Sequence, residues 1–190
     1  MTGRTHDMIA FTGLLIATIA YPPAQVTFGT AIAAFLANQI GGVTPDIDQP
    51  TAPFWRNLPI GGYFGRMISK MLGGHRFLTH SIIGLVLIGF LVKLLLGFIH
   101  PIFPRLDMNL IWWAYMVGIV SHLIIDSFSK EGVPWLLPIP FKFGFPPIRA
   151  WRITTDEKFE HYILFPGLLI LNIFLLSQNY QMFVSLLHKA

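Results

Sequence analysis

Apolar residues fall in five long blocks and show no period-two alternation. The blocks cover residues 8–20, ended by Pro22-Pro23; 24–40, ended by Gly41-Gly42; 78–99, ended by His100-Pro101; 110–125; and 162–176, with a continuation to 187 left open. A bilayer span needs roughly 20 predominantly apolar residues. Residues 78–99 meet that alone, with Lys93 near one end able to snorkel. The other blocks are shorter and must borrow flanking residues, tilt, or bury polar ends. The second carries Gln25, Thr27, Thr30, Asn38 and Gln39, so it is expected to face other helices. The pattern predicts an all-α integral membrane bundle of about five helices, forming one compact domain over residues 1–190.

Between the blocks the chain is not a flexible linker. Residues 51–74 mix Gly, Pro and aromatics with Arg56, Arg66 and Lys70. Residues 131–150 carry Pro134, Pro138, Pro140, Pro146 and Pro147, which forbid a regular helix. Aromatic and basic residues together suit loops at the lipid headgroup level. No repeat and no low-complexity tract is present.

Composition narrows the class further. Charged residues are 12%, against about 25% in soluble domains. Hydrophobic residues are 54% and the mean hydropathy is +0.62, which argues against both a soluble domain and disorder. There is no Cys, so thiolate metal sites, disulfides and Cys nucleophiles are excluded. Net charge is +4. In a soluble chain that excess would point to nucleic acid; here basic loops facing the cytoplasm explain it better. Direct nucleic-acid binding is disfavoured without being excluded. If all five blocks cross, one side holds Arg4, Arg56, Arg66, Lys70, Arg76, Lys130, Lys142, Arg149, Arg152 and Lys158. The other side holds Arg105 and Lys189, with Lys93 nearest it. The expected placement is a multi-pass protein of a bacterial-type inner membrane, N-terminus cytoplasmic. The sidedness is the same if the first two blocks only dip in as a hairpin. The first block follows Arg4 and ends without an A-x-A site, so it reads as a retained span.

The polar residues inside this map are not scattered. His6 precedes the first helix, and Asp46 and Asp48 follow the second in GGVTPDIDQP. His75 and His80 open the third in GGHRFLTHS, His122 and Asp126 close the fourth in SHLIIDSFSKEG, and Glu160 with His161 opens the fifth. All lie at the cytoplasmic helix ends, whereas His100, His188 and Asp107 fall at the other face. His122 and Asp126 are spaced i, i+4 and share a helix face, which suits two metal ligands or a simple hydrogen-bonded pair. Asp46 and Asp48 would share one side of an extended loop. Two His and an Arg directly before a long apolar run are costly to desolvate without partners.

Several carboxylates and imidazoles without thiolates suit Zn first, with Mn, Fe or Mg as alternatives. The number of candidate ligands points to two or more divalent ions, since one catalytic zinc takes about three protein ligands. Such ions could polarise a phosphate and activate water, with Asp46 or Asp48 bridging them. Arg76, with Arg149 or Arg152, would steady phosphate charge. Asp48, His80 and Arg76 are assigned to the chemistry itself.

The order His6, PDID (45–48), HRFLTHS (75–81), SHLIID (121–126), GVPWLLP (132–138) and Glu160 resembles the YdjM family, described as LexA-regulated, membrane-bound metal-dependent hydrolases. That family is grouped distantly with the phospholipase C and zinc-nuclease superfamily. The resemblance implies that His6, Asp46, Asp48, His75, His80, His122, Asp126 and Glu160 ligate metal. The family often has Gly after the His-Arg pair, where this chain has Phe77. Its T-G-x-x-x-E motif stands here as Thr155-Asp156-Glu157-Lys158-Phe159-Glu160, with Asp156, Glu157 or His161 as substitutes for Glu160. The leading expectation is a hydrolase acting on an amphiphilic or small phosphoester at the inner membrane surface. The alternatives are a metal-handling or transport protein and a non-catalytic, metal-stabilised scaffold. Against transport, Lys93 is the only ionisable residue well inside an apolar run.

Overall fold

The computed structural model describes residues 1–139, 141–155 and 158–188. Its elements are α1 (Gly3–Ala20), α2 (Phe28–Val43), α3 (Pro53–Arg56), α4 (Gly61–Met71), α5 (Ile82–Ile99), α6 (Met108–Ser127), α7 (Phe165–Gln178) and α8 (Tyr180–His188). Short 3-10 turns cover Thr44–Asp48, Leu78–His80 and Arg149–Trp151, and a π turn over Glu160–Leu164 leads into α7. The described residues form helices and no sheet; Ser129 with Ile153 and Val133 with Phe143 make isolated bridges in the proline-rich loop. The all-α expectation therefore holds. Among the described residues, three helical stretches, Ile82–Ile99, Met108–Ser127 and Glu160–Gln178, are long and apolar enough to cross a membrane.

The helices begin and end where local chemistry directs. Thr27, Ser81 and Asp107 cap α2, α5 and α6 by accepting hydrogen bonds from the backbone N–H groups of Thr30, Gly84 and, for Asp107, Asn109 and Leu110. Residues 51–74, expected as a loop, contain α3 and α4. The glycines at 61, 62 and 65 obscure a helical pattern whose apolar residues recur at helical spacing.

Helix α6 is the centre of the bundle. It buries Ile111, Ala114, Tyr115, Gly118, Ile119, Ser121, His122, Leu123, Ile125 and Asp126, whereas α5 buries only Gly84 and Gly89 and turns its apolar side chains outward, as lipid contact requires. α1 and α2 pack on α6. The α2–α6 crossing is made by small residues. A Cβ on Gly118 would stand 2.2 Å from the Asn38 carbonyl oxygen, and one on Gly41 would stand 2.2 Å from that of Tyr115. Close backbone approach through small residues is how helices associate where lipid removes the hydrophobic drive. Asn38 Nδ2, buried there, donates to the Ala114 carbonyl (3.1 Å). Consecutive long helices run away from and back toward one end of the bundle. At the opposite end, the Asp107 N–H donates to Thr30 Oγ1 (3.1 Å), so the start of α2 sits level with the start of α6.

Candidate metal centre

The end of the bundle where α1 starts and α2 and α6 finish gathers His6, Asp46, His80, His122 and Asp126. His6 Nε2 lies 3.5 Å from Asp126 Oδ1. His80 Nε2 and His122 Nε2 lie 3.7 and 3.8 Å from Asp126 Oδ2, and 4.0 and 3.7 Å from Asp46 Oδ1. The rings of His6 and His122 stack with centroids 3.7 Å apart. Two donor groupings result, His6–His122–Asp126 and Asp46–His80–His122. His6, His80, His122 and Asp126 are inaccessible to solvent, while the Asp46 side chain is 20% exposed.

Surrounding groups fix which nitrogen each imidazole presents. His122 Nδ1 donates to the Gly42 carbonyl (2.6 Å), a contact that the glycine-mediated α2–α6 crossing makes possible. Its Nε2 is left as the lone-pair atom. His80 Nδ1 faces Asp48 Oδ2 (3.4 Å) and Thr79 Oγ1 (3.0 Å), which again directs Nε2 into the cluster. A carboxylate or carbonyl behind the imidazole is the usual support of a metal-bound histidine.

Asp48 is placed behind His80 in this way. It is fully buried and takes His75 Nδ1 at 2.7 Å, the Arg76 N–H at 3.0 Å and the Thr79 hydroxyl. Burial works against its charge, but the hydrogen bonds from His75, His80 and Thr79 outweigh it and hold the carboxyl well below its usual range. For His80, burial likewise opposes charge, and the Asp126 and Asp48 carboxylates more than offset it, raising the pKa. Arg76 adopts a left-handed backbone (φ 56°), which sends its N–H to Asp48 and its guanidinium to the other carboxylate. Nη2 lies 2.5 Å from Asp126 Oδ2, and Nη1 donates to Ser129 Oγ (2.7 Å) and the Gly132 carbonyl (3.3 Å).

Charge alone does not demand an ion here, because Arg76 and the Met1 amino group (3.0 Å) already face Asp126. The nitrogens do. Both ring nitrogens of His6 and the Nε2 atoms of His80 and His122 are buried without a hydrogen-bond partner. Orphaned buried polar atoms are rare and call for a missing partner. Four of them in one small volume, beside two carboxylates, fit a cation. Two donors each about 2.1 Å from one tetrahedral ion sit about 3.4 Å apart, close to the 3.5–4.0 Å separations found.

The structure sorts the residues singled out in the sequence. Asp46 and Asp48 do not share one side of an extended loop. They lie in a 3-10 turn, where residues two apart point in different directions. Asp46 faces the cluster and Asp48 faces His75 and His80. His75 stands behind Asp48. Glu160 is buried at the start of α1, accepting from Thr2 N (2.6 Å) and Thr2 Oγ1 (2.8 Å), outside both donor groupings. Arg149 Nε donates to the Lys130 carbonyl and Arg152 to the Pro146 and Pro147 carbonyls, so they brace the loop. Asp156 and Glu157 lie outside the described residues. Thr79, Ser129 and the Gly42 carbonyl were not anticipated. Thr79 at least sits inside the LTH stretch, next to the imidazole it steadies.

The model of the YdjM inner membrane protein family matches residues 1–183. The chain is 27% identical to the uncharacterized protein YvsG of Bacillus subtilis over 88% of this chain and 98% of that protein. It is 29% identical to the inner membrane protein YdjM of Escherichia coli, and equally to that of Shigella flexneri, over 64% of this chain. The match spans only 57% of those two proteins. No solved structure matches the chain.

Proposed function

We propose, for a chain that belongs to the YdjM inner membrane protein family, that its buried His–Asp cluster holds divalent metal and hydrolyses a phosphoester at the inner membrane surface. The observation that carries this reading is the convergence of partnerless imidazole nitrogens on two carboxylates. His6, His80, His122, Asp46 and Asp126 would hold the metal. His122 Nε2 has one lone pair and would serve one ion, so a second ion would draw on the carboxylates of Asp46 and Asp126. When bound, such ions bring a water's pKa close to neutral and polarise a phosphoryl oxygen. Asp48 and the Gly42 carbonyl orient His80 and His122. Arg76, held beside Asp126, supplies fixed positive charge for a phosphate. Zn is the first choice for this nitrogen-rich set.

A purely structural site would be closed on every side. Asp46 is part-exposed among otherwise buried donors, which supports catalysis over a scaffold. A cluster at the ends of the membrane helices, where the charge map expects the headgroups, supports an amphiphilic phosphoester. The test is elemental analysis of the purified protein, coupled to a panel of phosphomonoesters, phosphodiesters and phospholipids. Wild type is expected to carry metal and turn over one class. His80→Ala, His122→Ala and Asp126→Ala are each expected to insert in the membrane but lose metal and activity. Full metal content in all three variants removes the site, and metal without turnover on any substrate returns the scaffold reading.

A further inference from the structure

Helix α4 turns its apolar side away from the protein. Gly61 and Gly65 are buried and Ile68 and Ser69 half-buried, all on one side. Gly65 fits closely against Pro50 and Trp55, where a Cβ would stand 3.0 Å from either. On the opposite side Ile60, Tyr63, Phe64, Met67 and Met71 recur at helical spacing and are exposed, Tyr63 to 63% and Met71 to 77%. At 3.6 residues per turn, Arg66 and Lys70 fall between these two sides, at the edge of the apolar strip. An exposed apolar strip of this kind in water would need a partner. An apolar strip edged by basic residues is the form of a helix lying in a bilayer surface.

Its place in the fold agrees. α4 sits beside the turn that carries Asp46, because Trp55 Nε1 donates to the Ile47 carbonyl (2.9 Å) and the α4 glycine packs on that same Trp. α5 begins close after it in the chain, with Ile82, Ile83, Val86 and Leu87 exposed as a lipid-facing surface requires. We infer that α4 lies flat at headgroup level on the leaflet nearest the His–Asp cluster, held there by anionic lipid through Arg66 and Lys70. It thereby fastens the Asp46 turn at that depth. This inference stands apart from the hydrolase reading, since it needs neither metal nor turnover.

The chain has no Cys, so single cysteines can be placed without background. Tyr63→Cys and Met67→Cys on the apolar side, and Gly62→Cys off it, are compared in full-length protein in lipid nanodiscs. The discs contain phosphatidylcholine alone or equal parts phosphatidylcholine and phosphatidylglycerol. The readout is the rate of reaction with a water-soluble maleimide. Each basic residue at an anionic surface favours docking about fivefold, so Y63C and M67C are expected to react about 25-fold slower in the anionic discs. G62C is expected to react alike in both, and adding R66Q/K70Q to M67C is expected to erase the lipid dependence. Equal rates for Y63C and M67C in the two lipids overturn the inference. So does protection that survives R66Q/K70Q, or protection that needs two copies per disc, which would give the face to a second chain.

Discussion

At the residue scale, the distinction that matters most is between the atoms that would touch metal and those that aim them. Asp48 and Asp126 are both buried acids, yet they differ in what their oxygens face. Asp48 is occupied by His75, Arg76, Thr79 and His80, whereas Asp126, beside Arg76 and the Met1 amino group, faces the orphaned nitrogens of His6, His80 and His122. Asp48→Asn keeps the volume and removes the charge behind His80. Loss of such a supporting group costs about 10–100-fold in metal affinity. Asp48→Asn is therefore expected to fill to wild-type stoichiometry in excess metal, but with affinity lowered by about that factor in a chelator-competition titration. Asp126→Asn is expected not to fill at all. Equal failure of the two variants would make Asp48 a direct ligand. The sequence shows which residue types are present and that they stand at helix ends. It does not show this division of labour, because a two-residue spacing reads differently in an extended loop and in the 3-10 turn that forms. Thr79 and the Gly42 carbonyl escape notice for a related reason: their role arises only from contacts with residues distant in the chain or across a turn.

At the element scale, the site depends on how closely α2 approaches α6. The Gly118 position leaves no room, since a Cβ would meet the Asn38 oxygen at 2.2 Å and the Gly42 nitrogen at 2.8 Å. Gly97, on α5, has nothing within 4 Å. Gly118→Ala must push the helices apart, and overpacking of this kind typically costs about 1–3 kcal/mol. The same shift draws Gly42 away from His122, which lies one turn beyond Gly118 on α6. Gly118→Ala is therefore expected to lower both the thermal midpoint in detergent and the bound metal per chain. Gly97→Ala is expected to keep its metal and to hold or gain stability, because Ala favours helix by about 1 kcal/mol. Matching behaviour of the two variants would detach the helix crossing from the site. The apolar blocks made the long helices legible in the sequence, and Gly41-Gly42 read only as a stop. Its packing role depends on a partner helix more than 70 residues away, and α4 was hidden by glycines whose place in a helix is justified only by what they pack against.

At the scale of the whole molecule, length and packing together set how deep the first hairpin reaches. α2 has 16 residues, about 24 Å of helix, which is short for a hydrocarbon core of about 30 Å. Among the described residues, only α5, α6 and the helix through α7 qualify as spans by length and composition. Packing argues for greater depth. The Asp107 N–H at the start of α6 bonds Thr30 at the start of α2, so the α1–α2 connection stands level with the α5–α6 loop. Tyr21, 86% exposed in that connection, suits an aromatic belt at the far interface. The loss of length is met by the polar ends of α1 and α2, which the bundle buries as His6, Asn38 and Thr30. The charge count predicts that the side carrying the cluster is cytoplasmic, and the same Cys-free background tests both points. Gln25→Cys and Arg105→Cys are expected to react with an impermeant maleimide from the non-cytoplasmic side in right-side-out vesicles. Lys142→Cys is expected to react only after the vesicles are opened. If Gln25→Cys behaves like Lys142→Cys, the hairpin does not cross, and the bundle is three spans with a re-entrant arm. If Arg105→Cys and Lys142→Cys react from the same side, the orientation argument fails, and with it the placement of the cluster at one membrane surface.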